Sequence, residues 1–79
     1  MLFVMQIIRH MIVRLDYDRD ELEGLFSHIV DEQSFLEFCD AMLVEPPKAC
    51  YRADIIDICR GPKLESAIIS SYLILDREV

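Results

Sequence analysis

DYDRDELEGLFSHIVDEQSFLEFCDAMLVE, residues 16–45, decides the fold. Leu22, Leu25, Phe26, Ile29 and Val30 recur at i, i+3, i+4, i+7 and i+8, which makes one apolar stripe on an α-helix. Continued past Val30, that phase meets Gln33, Leu36 and Asp40, so the stripe fades. A second begins instead at Phe35, Phe38, Cys39, Met42 and Leu43. The pattern therefore predicts two helices, over 19–30 and 34–45, with a turn near 31–34. Asp18 or Asp16 is placed to cap the first by accepting from its free N–H groups. Asp20, Glu21 and Glu23 fall in its first turns, where the helix dipole favours negative charge. Ser34-Phe35-Leu36-Glu37 fits the S-x-x-E capping box for the second. Pro46 and Pro47 end it, because proline cannot continue a helix and restricts the residue before it.

Upstream, MLFVMQIIRHMIVRL (1–15) places Gln6, Arg9, His10 and Arg14 on one side of a helix. Val4, Met5, Ile8, Met11, Ile12 and Leu15 form a wide apolar face on the other. A helix over 3–16 is expected, built into the core, docked on a partner or laid on a membrane surface. Two arginines are few for the last role. The stretch is too short to span a bilayer, which takes about 20 apolar residues, and lacks the small-residue cleavage site of a secretory signal. A rival reading makes 11–17 a half-buried strand, since Met11, Val13, Leu15 and Tyr17 alternate with Ile12, Arg14 and Asp16. The fold would then be α+β.

Downstream, Pro46–Tyr51 reads as a linker. Tyr51, Ile55, Ile58 and Cys59 share one face of a helix expected over 52–60. Arg60, Gly61 and Pro62 punctuate its end, and Pro62 suits the first position of the next helix. There, over 63–76, Leu64, Ala67, Ile68, Ser71, Tyr72 and Leu75 keep the 3.6 period. Ile69, Leu73 and Ile74 widen its apolar surface nearly all round. The expected architecture is one all-α domain, residues 1–79, of four or five short helices.

Charge is distributed unevenly. Residues 16–45 hold ten acids against one base, Arg19, in a chain of net charge −7. Such a surface opposes direct binding to nucleic acid or anionic membrane and suits a basic protein. The acids avoid both apolar stripes. If the two helices pack antiparallel, Asp20, Glu23, Glu37 and Asp40 would share an outward acidic surface. The chain is also 53% hydrophobic, more than a body of 79 residues is expected to hide.

Motifs of catalysis and metal binding are missing from the sequence. Asp16-x-Asp18-x-Asp20 starts like a calcium loop, but Glu21 and Ser27 stand where that loop needs glycine and glutamate. Neither a C-x-x-C nor an H-x-x-x-H pair occurs, and neither G-x-S-x-G nor G-x-G-x-x-G. His10 and His28 are far apart. Cys39 lies in an apolar stripe and reads as a buried, inert thiol. An odd three cysteines suit a reducing, cytoplasmic setting. No enzyme activity, cofactor or metal is expected.

Size, acidity and helix number are similar to those of acyl carrier proteins. That family carries its prosthetic group on an Asp-Ser-Leu motif, and here Ser34 follows Gln33 and Ser66 follows Glu65. The profile also resembles small acidic inhibitors, such as bacteriocin immunity proteins and phage-encoded inhibitors of nucleic-acid machinery. The expected function is a non-catalytic protein-interaction module. Asp18, Asp20, Glu23, Glu37 and Asp40 would dock or inhibit a basic, nucleic-acid-binding protein. The alternative is an apolar assembly module that joins copies of itself, or a larger complex, through its first and last helices.

Overall fold

The computed structural model describes residues 2–78, with the backbone alone at 78. Five helices follow in order: α1 Leu2–Val13, α2 Arg19–Phe26, α3 Glu32–Ala41, α4 Ala49–Arg60 and α5 Pro62–Glu78. Among the described residues there is no strand, and the fold is a small all-helical domain. The strand alternative at 11–17 is overturned. Val4, Ile7, Ile8 and Met11 are all buried on one face of α1, so the helical period outweighs the local alternation beyond Met11. Asp16, with φ 59°, then turns the chain away from the helix. Aspartate tolerates that left-handed conformation better than most side chains.

α2 stops at Phe26, short of the expected residue 30. The Ser27 hydroxyl donates to the Gly24 carbonyl at 2.6 Å, and the next two amides make short-range bonds to Leu25 and Phe26. This tightened turn still buries Ile29 while exposing Val30. α3 begins two residues earlier than expected, because Asp31 is its N-cap. Asp31 Oδ1 accepts from the Ser34 amide at 2.8 Å, and Ser34 Oγ accepts from the Asp31 amide at 3.0 Å. Ser34 is thus the third residue of a capping box and not its cap. Asp31 competes successfully for the role.

α3 also ends earlier, at Ala41 with Met42 as its C-cap. The Val44 amide bonds the Cys39 carbonyl at 3.0 Å, and the Leu43 amide bonds that of Asp40 at 3.1 Å. This Schellman pattern stops the helix before Pro46. Leu43, expected in the apolar stripe, is turned out to solvent. Pro62 opens α5 as expected, one residue after Gly61, whose backbone is extended.

α1 packs chiefly against α5, α4 lies against both, and α3 packs on α4. On α5 the inward residues are Ala67, Ile68 and Ser71, all fully buried. The Ser71 hydroxyl is satisfied within its own helix by the Ala67 carbonyl at 2.8 Å. Phe26 and Phe38 join α2 to α3 with ring centroids 5.0 Å apart. Phe3 meets Phe35 edge-on at 5.9 Å, joining α1 to α3. The inward face of α4 is Ile55, Ile56 and Cys59, so Tyr51 is exposed and Ile58 only half-buried. Ile12, Leu25, Leu64 and Tyr72, expected in the core, pack at its edge.

Candidate functional site

Asp18, Asp20, Glu23, Glu37 and Asp40 are all exposed. Their local commitments differ. Asp18 is the N-cap of α2: its Oδ1 accepts from the Glu21 amide at 2.8 Å, and Glu21 Oε1 accepts from the Asp18 amide at 3.2 Å. Both carboxylates are therefore fastened to the helix start. Glu23 accepts from Arg19 Nε at 3.3 Å, and the same guanidinium reaches Glu65 on α5 at 3.5 Å. Glu37 accepts from Gln33 Nε2 at 3.2 Å. The side chains of Asp20 and Asp40 make no hydrogen bond or ion pair among the described residues.

Glu23 and Glu37 open onto different ground. Glu23 borders a shallow recess of about 380 Å³ with Phe26, Ser27, Arg60 and Leu64, where α2 approaches the α4–α5 junction. Glu37 borders another of about 240 Å³ with His28, Ile29 and Met42 between α2 and α3. Tyr72 of α5 feels the acidic start of α2. Burial and then the Asp18 carboxylate push its phenol above the ordinary value.

Two arginines on α4 join the region, and their roles are not apparent from spacing alone. Arg52 Nη1 donates to Glu32 Oε1 at 2.9 Å. Arg60 Nη1 reaches the Val30 carbonyl at 3.5 Å. Within residues 16–45, ion pairs therefore engage Glu23 and Glu32, Asp18, Glu21 and Asp31 accept capping hydrogen bonds, and Asp20 and Asp40 keep their charge toward solvent. Asp31 is held below the usual carboxylate range by hydrogen bonds from the Ser34 amide and hydroxyl.

Two arginines lie elsewhere: Arg9 on α1 and Arg14 just past its end border a recess with Gln6, His10, Val13 and Leu75. Cys39 and Cys59 are buried, and burial pushes both thiols up, Cys59 to about 12. A thiol so protonated is a poor nucleophile. Among the described residues no three His, Cys, Asp or Glu side chains gather around a common point for a metal, and no helix is long and apolar enough to cross a membrane. No protein-family model matches the chain, and no curated protein or solved structure matches it.

Proposed function

We propose that this chain is a non-catalytic protein-interaction module whose acidic stretch, residues 16–45, docks or inhibits a basic protein. A partner whose own basic surface binds nucleic acid fits that charge. One observation carries the reading. The carboxylates of this stretch are exposed, and the arginines within reach engage only Glu23 and Glu32. Net negative charge left uncompensated on a folded surface steers a positive partner and speeds encounter. Asp20 and Asp40, which hold nothing in the fold, are the purest candidates; Asp18, Glu23 and Glu37 divide their charge between fold and surface.

The test is affinity capture of the tagged chain from its native cells at low and high salt, read by mass spectrometry. The expected result is a basic protein retained at low salt and released at high salt. The variant Asp20→Lys/Glu37→Lys/Asp40→Lys should lose it while keeping its circular dichroism. Capture indifferent to both salt and reversal overturns the reading.

A second reading, assembly through apolar helices, has its own observation. Ile69 and Leu73, one turn apart on α5, are 41% and 54% exposed. The occupant would be a second copy of this chain, and sedimentation would show a salt-resistant oligomer that Leu73→Lys disperses. A monomer at high concentration removes it.

A further inference from the structure

Two non-glycine residues among those described have a positive φ, Asp16 and Leu43, both at 59°. Aspartate is one of the few side chains that visit this region readily. Leucine is not, because its Cβ crowds the backbone there, and the position after a helix C-cap is ordinarily glycine or asparagine. Leu43 is also the most exposed large apolar residue described, at 88%. Val44, next in the chain, packs against the core, so the turn needs an apolar residue there and not at 43. Leu2, Val30 and Tyr51 are exposed too, yet none has a positive φ. Among the apolar residues described, Leu43 alone combines a positive φ with exposure: the turn that stops α3 requires the backbone conformation, but the leucine side chain serves no packing in this chain. Strain of this kind concentrates at binding positions.

We infer that Leu43 is the apolar anchor by which the chain docks its protein partner, seating in an apolar pocket rimmed by lysine or arginine. The rim follows from charge. Asp40, before it, and Glu45, after it, are both exposed, and Asp40 has no partner among the described residues. An apolar side chain that fills a partner's pocket inside a rim of complementary charge concentrates binding energy at the centre of an interface, while the rim charges select the partner. The inference rests on the acidic-docking reading and deepens it. The Schellman turn presents the leucine, and the acids around it orient the approach.

The experiment starts from the basic protein captured at low salt, identified, purified and titrated against four forms of the full chain. Leu43→Ala keeps the backbone strain and removes the knob; it should weaken binding more than about 10-fold. Leu43→Gly should weaken it equally while raising Tm by about 4 °C, since glycine relieves the strained turn. That opposite movement separates lost docking from lost folding. Asp40→Lys/Glu45→Lys should weaken binding and flatten its salt dependence. If the reversal weakens binding but Leu43→Ala leaves it within about two-fold, the anchor is overturned and the acidic-docking reading survives. Binding that depends on Leu43 but ignores salt and the reversal overturns the basic rim, and the acidic-docking reading with it. Failure to retain any basic protein at low salt overturns both.

Discussion

Arg52 on α4 ties the start of α3 to the loop between them: Nη1 donates to Glu32 Oε1 at 2.9 Å while Nε donates to the Pro47 carbonyl at 3.0 Å. The two bonds differ in worth. The Glu32 side chain is 58% exposed and that of Arg52 21%, so water and salt screen the ion pair. Glu32→Gln should therefore cost no more than about 0.5 kcal/mol. Arg52→Met loses both bonds and leaves a loop carbonyl unsatisfied, so about 1–2 kcal/mol is expected. Urea denaturation of the two variants decides the order; a larger loss in Glu32→Gln would mean the ion pair dominates.

Asp31 makes stability depend on acid. Its folded pKa lies below the ordinary 3.8, chiefly through the Ser34 amide and then the Ser34 hydroxyl. A depressed carboxylate stabilises the folded chain above its unfolded pKa, and that contribution disappears as pH falls through the folded pKa. Asp31→Asn keeps a capping oxygen but cannot titrate. The stability gap between wild type and Asp31→Asn should be full above about pH 4 to 5 and close at lower pH. Thermal melts across that range check it, and a gap independent of pH would mean that folding does not depress the Asp31 carboxyl.

Phe35 is buried between α1 and the rest of α3, against Phe3. Phe35→Ala should cost about 3–5 kcal/mol. At roughly 0.05–0.15 kcal/mol per residue a domain of this size has about 4–12 kcal/mol in total, so substantial unfolding at 37 °C is expected. Phe35→Leu refills most of the space and should cost less than about 1.5 kcal/mol. Circular dichroism against temperature distinguishes the two; a fully folded Phe35→Ala would mean the core closes over the gap.

Cysteine reactivity should follow burial. Cys50 is exposed, whereas Cys39 and Cys59 are buried with raised pKa values, Cys59 near 12. Brief iodoacetamide treatment at pH 8 should add one group to the folded chain, at Cys50, and three in denaturant. Mass spectrometry counts the adducts. Equal labelling of Cys59 in the folded chain would show that α4 opens readily.

The fold class was legible because the stripes of α2 and α3 repeat at helical spacing and their separators are strong formers of caps and turns. The orientation of α4 was not. Ile55 with Ile58 and Ile55 with Ile56 fit a helical face equally well, and contact with α3 and α5 chooses the second. Leu43 continued the α3 stripe by period alone, and the local turn overrode it. Exposure of the five acids could be read from their places off the stripes, and Asp18 from its capping position. Which acids remain uncommitted could not, because the Arg19–Glu65 and Arg52–Glu32 bonds join segments brought together only by the fold.

The pairing of α1 with α5 has a consequence for synthesis. As the chain leaves the ribosome, Val4, Ile7, Ile8 and Met11 emerge long before Ala67, Ile68 and Ser71, on the helix that covers them. α1 cannot complete its burial co-translationally against α2 or α3. During that interval its apolar face is open to chaperones, to other nascent chains and to collapse in the wrong register. The part of the core between α1 and α5 closes only after α5 has emerged.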